Sequence, residues 1–409
     1  MRAVVIAGGL SSRFWPLGQG HKCALEVMGQ PIMMHALHAL PPKISEAVIV
    51  EPPSKPLSQL FKERGVKLSF PVEFRVQPEA DGTWHAITIG AEGASGDILV
   101  MTGHHINPTV LKKLFNSQGN TFVCFEADRP EDYGIVTLKD GKISAVTEKP
   151  SKPESTLAVK SMYRMSLDFV NFMVDAGKTR SHPHLLEHAW TDWLPEHPAG
   201  YFVVKSEDLP SLKYPWHALD IMTFLLGKIK TPRISGEVAK TAVIDGPVII
   251  EEGARILEHA VIKGPAYIGR NAVVGNHSLI RQSSVEEGAL VGFGSEVVRS
   301  LVGPRAKIHH SFVGDSVLGE ACNFGFGTVT GNKRLDRGHI KASVKGRRID
   351  TKRKALGAIF GPESGTGINT SIMPGVMVGA KAFAGPGTVL NQNVPDGRTV
   401  YSKHQVVEK

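Results

Sequence analysis

The chain has 409 residues, 42% hydrophobic and 21% charged, with a net charge of +8 at pH 7. That length implies two or three domains, and no apolar run reaches the roughly 18 residues of a membrane-crossing helix, so a membrane partner of that kind is excluded. Three widely spaced cysteines (Cys23, Cys124, Cys322) argue against a disulfide framework or a zinc module and fit a reducing, cytoplasmic setting; the five apolar residues after Arg2 are too few for a secretory leader.

In chain order, residues 3–7 form a short apolar run that ends on Gly8-Gly9, and similar runs follow at 47–50 and 98–102. Helical patterns at 33–40 and 57–64 lie between them. Buried strands alternating with helices predict an α/β domain with a mostly parallel sheet over residues 1–230. From about residue 231 the period changes to six. Val238, Ile244, Ile250, Ile256, Ile262, Ile268, Val274 and Ile280 recur at that interval, each followed four positions on by a small or β-branched residue from Ala242 to Ser284. Neither helix nor simple strand has that period. A parallel β-helix does, with each hexad forming one side of a coil and its anchor pointing inward. The phase slips at Val285, runs on through Val291 and Val297, and is taken up again at Phe312, Leu318, Phe324 and Thr330. A second block runs Phe360, Thr366, Ile372, Val378, Ala384, Leu390. The expectation is a β-helix over 231–409 with all eight first-block anchors buried.

Residues 331–356 interrupt the hexads and hold ten Lys and Arg against two Asp, an excess equal to that of the whole chain. The basic character is therefore local. It reads either as a solvated loop or as a phosphate-binding loop. Nucleic acid is set aside as a partner because no aromatics are interleaved for base stacking.

Two stretches near the N-terminus carry chemistry. The first is Ala7-Gly8-Gly9-Leu10-Ser11-Ser12-Arg13-Phe14-Trp15-Pro16-Leu17 with Lys22; a Gly-rich turn after a strand lets backbone N–H groups approach phosphates, and Arg13 and Lys22 can neutralise them. The second is Gln77-Pro78-Glu79-Ala80-Asp81-Gly82-Thr83. With Tyr133-Gly134 and Glu148-Lys149-Pro150, they resemble the sugar-1-phosphate nucleotidylyltransferases, which have a Rossmann-like fold. The resemblance implies that Gly8, Gly9, Arg13 and Lys22 hold phosphates, that Gln77 and Gly82 touch the base, and that Glu148 holds the sugar. The pattern departs at the metal. His104 stands where that family has one Mg²⁺-binding Asp and Ser211 where it has the other, while Val159-Lys160-Ser161 replaces its Asn-Ala-Gly. Imidazole and hydroxyl are poor ligands for Mg²⁺, so no metal ligand is assigned here and use of Mg²⁺ is placed in doubt. A softer metal between His104 and His105 is disfavoured, since neighbours on a strand face opposite ways.

In the second half, His309-His310-Ser311-Phe312-Val313-Gly314-Asp315-Ser316, then Asn323-Phe324-Gly325-Phe326-Gly327-Thr328, Asn332 and Thr366-Gly367-Ile368-Asn369, are similar to the acetyltransferase half of the bifunctional enzymes of UDP-N-acetylglucosamine synthesis, archaeal-type branch. This resemblance implies a left-handed parallel β-helix, a homotrimer and acetyl-coenzyme A as acyl donor. His309 would be the general base that deprotonates an attacking amine. Asn323 and Asn332 would fix the sugar, and Lys333, Arg334 and Lys345 its phosphate. His310 is expected to face away, and Phe326 stands where that family has Ala. The expected activity is N-acetylation of glucosamine-1-phosphate beside a nucleotidylyltransferase domain of doubtful activity, with a sugar phosphate and a nucleoside triphosphate or nucleotide sugar as ligands. The competing expectations are an active sugar-1-phosphate nucleotidylyltransferase using UTP or another triphosphate, and a non-catalytic regulatory or scaffold subunit.

Overall fold

The computed structural model describes residues 1–18, 20–179, 182 and 184–403. The chain divides into two compact units. Met1–Leu10 and Ile32–Pro210 form the first; Ser11–Pro31 and the residues from Ser211 on form the second.

The first unit is built on seven strands: β1 (Arg2–Ile6), β2 (Glu46–Glu51), β3 (Val72–Val76), β4 (Ile98–Thr102), β5 (Thr121–Glu126), β6 (Leu157–Met165) and β7 (Gly200–Val203). They lie in the order β7-β5-β6-β4-β1-β2-β3, and only β6 runs antiparallel to its neighbours. Strands buried on both faces need unbroken apolar runs, as in Ala3-Val4-Val5 and Ala47-Val48-Ile49-Val50. A hairpin, Gly134–Lys139 with Lys142–Glu148, attaches to β6 where Ala158 pairs with Ile135. The expected helices form at Ile32–His38 and Pro56–Arg64. Glu51 secures the second by accepting the Leu57 and Ser58 N–H groups at 2.9 and 3.1 Å. Pro108–Phe115 starts with Asn107 Oδ1 accepting Thr109 N–H at 3.0 Å. The strand order reverses between β1 and β4. Their carboxyl ends therefore open a crevice of the kind in which α/β sheets bind ligands. The Gly8-Gly9 turn and the Gly103-His104 turn leave from those two ends.

The second unit carries the left-handed parallel β-helix that the hexads imply: three parallel sheets of eight, nine and eight very short strands. Each coil at first takes three full hexads, so Val243 pairs with Val261 and Val261 with Leu279. The coils then lose one position (Val273 pairs with Leu290) and further on a second (Glu296 pairs with Phe312). The shorter coils account for the slipped phase. They also move the inward position of one strand from Phe312, which is only partly buried, to Val313, which is fully buried. Six of the eight first-block anchors, Ile250 to Ile280, are fully buried; Val238 and Ile244 are only partly so, their strands being the first of their sheets, with no earlier strand paired to them among the described residues. Buried serines at the corners are satisfied across coils. Ser283 Oγ accepts Ser300 N–H, Ser300 Oγ accepts Ser316 N–H, and Ser316 Oγ accepts Ala358 N–H, each at 3.0 Å. Such a ladder lets polar side chains sit in an apolar stack without desolvation loss. Val317 pairs directly with Ile359, so the basic segment between them is looped out of one coil. Part of it folds as the hairpin Lys341–Val344 with Arg347–Asp350. Coils of three full hexads then resume, with Ile359 opposite Met377. Among the described residues no helix is long and apolar enough to cross a membrane.

Candidate functional site

At the crevice of the first unit, Gln77 is buried at the end of β3. Its Nε2 donates to Gly82 O at 3.0 Å, and its backbone N–H donates to Glu51 O at 2.8 Å. A Cβ built on Gly8 would run into Gln77 Oε1, so any larger residue there would have to displace the end of that side chain. Gly82, at φ +93°, leads into the helix Thr83–Ala91. Gly8, Gln77 and Gly82 thus form one cluster. Gly9 is exposed, with open space where a side chain would begin.

Ser11–Pro31, which carries Arg13 and Lys22, belongs to the second unit. Ser11 stands at φ +50°, in the left-handed region that favours glycine, and its Oγ accepts Lys22 N–H at 3.1 Å. Burial pushes the Lys22 ammonium below its ordinary pKa; the Cys23 thiol opposes this and the like charge of Arg13 adds to it. Two cations that repel one another are a ready site for an anion. Lys345, from the basic insertion, donates to Ser12 Oγ at 2.8 Å. It therefore lies against the Gly-rich segment of this unit. Arg334 is held by Asp336 at 2.8 Å, and Arg353 by Asp220. Lys333 is exposed.

On the sugar side, Glu148 pairs with Gly134 across the hairpin and accepts Lys149 Nζ at 2.5 Å. Tyr133 meets the Phe125 ring edge-on at 5.1 Å. His104 and His105 lie beyond the end of β4, in the turn, and so escape the alternation of a strand. Both rings reach Thr102 Oγ1, at 3.1 Å from His104 Nδ1 and 3.3 Å from His105 Nε2, and their centres are 5.0 Å apart. The opposite-facing arrangement expected of them is therefore corrected. Even so, no cluster of three His, Cys, Asp or Glu able to hold a metal occurs among the described residues. An imidazole already bonded to a hydroxyl does not fit the all-oxygen shell that Mg²⁺ requires.

In the β-helix, Lys307–Ile308 delivers His309 to a corner between two sheets, where it is exposed; its backbone N–H is fixed to Phe324 O at 3.1 Å. The next coil places Phe326 edge-on to the His309 ring at 5.3 Å and parallel to the His310 ring at 4.8 Å. His310 adopts φ +45° as the chain turns, and its Nδ1 lies 3.0 Å from Phe293 O. Both histidines therefore meet one phenyl ring, which corrects the expectation that His310 faces away. Asn323 is exposed on the same sheet as Lys307, one coil on. Asn332 donates to Asp315 Oδ2 at 2.7 Å, and Arg299 clasps both Asp315 oxygens at 2.7 Å. Asp315 is thus a buried hub. Arg299 had no signal in the sequence, because a whole coil of chain lies between it and Asp315 and only the closing of that coil brings them together.

The family profile described as Nucleotidyl transferase matches residues 2–208, and that described as GMPPB C-terminal domain matches residues 244–349. A Bifunctional protein GlmU of Methanococcus aeolicus is 33% identical over 424 aligned positions, covering 100% of this chain and 99% of the relative. The protein of the same name from Methanocaldococcus jannaschii is 32% identical with the same coverage. A bifunctional sugar-1-phosphate nucleotidylyltransferase/acetyltransferase of Sulfurisphaera tokodaii is 29% identical, covering 97% of this chain and 99% of its own.

Proposed function

Since the chain belongs to the nucleotidyl transferase family, and within it to the bifunctional GlmU proteins, we propose that it is a transferase of sugar-nucleotide biosynthesis whose acetyl-transfer half is the active one. In this reading the β-helix moves an acetyl group from acetyl-coenzyme A to the amine of glucosamine-1-phosphate. The observation that supports it most directly is the exposed His309 on a coil corner, beside Phe326 and just past the strand in which Lys307 pairs with the exposed Asn323. The His309 imidazole takes a proton from the amine as nitrogen attacks the thioester carbonyl. The tetrahedral intermediate then collapses, the C–S bond breaks, and the thiolate leaves with a proton. Asn323 orients the sugar. Asn332 acts through Asp315, and Lys333, Arg334 and Lys345 supply positive charge for phosphate. A homotrimer is part of this reading, since coil faces left exposed favour association.

The N-terminal half, on this view, binds a nucleotide or sugar nucleotide through Gly8, Gly9, Gln77, Gly82 and Glu148. The test is incubation with glucosamine-1-phosphate and acetyl-coenzyme A in the absence of UTP, following free thiol. Thiol release should depend on the amino sugar. His309→Ala should lower kcat about 10²- to 10⁴-fold with little change in coenzyme A binding. No thiol release by the wild type would sink the acetyl-transfer reading and favour the regulatory one.

A further inference from the structure

Strand β6 is irregular beside the crevice. Its register against β5 shifts between Val159 and Tyr163, and Ser161 takes φ +50°. Four steps along β6 there face two along β5, so two residues are extra; such a bulge re-aims side chains, commonly next to a site. Tyr163, Arg164 and Met165 pair with Val100, Leu99 and Ile98, so the bulged residues fall level with the end of β4 and its Gly103-His104 turn. Lys160 sits on this bulge. Its Nζ donates to Leu209 O at 3.0 Å and lies 4.2 Å from the centre of the Phe125 ring. The same ring meets Tyr133, whose carbonyl accepts Lys149 N–H at 3.0 Å. Lys160 therefore stands among the residues assigned to the sugar side.

An ammonium has three donors, and one carbonyl with one ring face leaves capacity unfilled. Burial alone moves Lys160, down to about 8, with no carboxylate contributing. Such a group is still mostly charged at pH 7, and a half-buried charge with no counter-ion among the described residues is unfavourable until an anion arrives.

We infer that Lys160 is an anion subsite of the N-terminal half, taking a phosphate of the bound sugar phosphate or nucleotide in a site whose remaining donors do not suit Mg²⁺. This rests on the sugar-nucleotide reading above. It gives a reason for a long cation at a position where the similar enzymes carry a small residue: charge held by the chain itself takes over part of the neutralisation.

The test is calorimetric binding to the full chain in EDTA, with UDP-N-acetylglucosamine, UTP and N-acetylglucosamine-1-phosphate as probes. The wild type should bind without added metal. Lys160→Met and Lys160→Gln should bind roughly 10- to 100-fold more weakly, and Lys160→Arg much less so. Weakening confined to the two sugar probes assigns the phosphate to the sugar; weakening of UTP as well assigns it to the nucleotide. Both support the subsite. Thermal midpoints of the uncharged variants should be unchanged or raised, since an uncompensated charge is removed. Wild-type affinity in folded Lys160→Met overturns the inference and leaves the functional reading in place, as does a lowered midpoint in both uncharged variants, which would make Lys160 structural. Failure of the wild type to bind any probe overturns both.

Discussion

Phe326 decides how much room the proposed thioester site has. It is 46% exposed, yet it is braced on one side by the parallel His310 ring and on the other by the edge of His309. A ring held by two neighbours does not swing aside without losing both contacts. Phe326→Ala should therefore enlarge the acyl pocket. We expect the ratio of kcat/KM for propionyl- over acetyl-coenzyme A to rise about 10-fold or more, the discrimination that one methylene provides. Steady-state thiol release with the two donors measures it, and an unchanged ratio would remove Phe326 from the acyl site. His309 and Asn323 were legible as members of a motif. The bond from Asn332 to Asp315 was not, because 17 residues of coil separate the partners and only the closed turn brings them together.

Short elements matter here through what they grip. The turn at Met28-Gly29 joins Glu26–Val27 to Gln30–Pro31, a two-residue ladder too small to be stable alone. Glu286, fully buried in the β-helix, accepts Met28 N–H at 2.8 Å, Gly29 N–H at 2.7 Å and Ser284 Oγ at 2.5 Å. Tyr267 lies so close that a side chain on Gly29, at φ +79°, would meet its hydroxyl. Burial pushes the Glu286 carboxyl above its usual range, and the three hydrogen bonds only partly oppose this. The folded state thus holds this proton more tightly than the unfolded chain. Its contribution is most favourable below the unfolded value and falls as pH rises through the folded one. Glu286→Ala should leave two N–H groups unsatisfied and cost about 1–3 kcal/mol of stability, read as a lower thermal midpoint of the full chain. It should also flatten the decline in stability with rising pH just above the carboxylate range; an unchanged midpoint would mean that the turn is not held by Glu286. None of this was legible beforehand, since 257 residues separate Gly29 from its partner. What was legible was periodic. Hexads announce a β-helix because each anchor repeats a single steric demand, whereas the loss of one position from a coil, and then of a second, leaves only a slipped phase in the sequence.

At the scale of the whole molecule, the proposed division of activity rests on a difference in the polar residues of the two halves. The β-helix retains an exposed imidazole, a conjoined Asp-Arg-Asn hub and a basic insertion. The α/β unit has Gly8 against Gln77 at the crevice, but His104, where a metal-binding carboxylate was expected, is bonded to Thr102. A divalent ion stabilises the charge that develops on a transferring phosphoryl group, and loss of its carboxylate ligands costs several kcal/mol, roughly a thousand-fold or more in rate. Nucleotide binding, on the proposed reading, needs far less, because the backbone N–H groups of a Gly-rich turn can hold phosphates without a metal. We therefore expect the chain to bind a nucleotide sugar yet release little pyrophosphate from UTP and a sugar-1-phosphate, whether or not Mg²⁺ is present. Acetyl transfer should proceed in EDTA at an undiminished rate. A coupled pyrophosphate assay run beside the thiol assay on one preparation separates the two activities, and robust pyrophosphate release abolished by EDTA would return the N-terminal half to the active enzymes. His104→Asp with Ser211→Asp is the converse trial. Its expected gain is small, because Val159 and Ser161 still depart from the sugar-binding pattern and Lys160, with its own charge on the bulge of β6, would then share the crevice with a metal ion it repels.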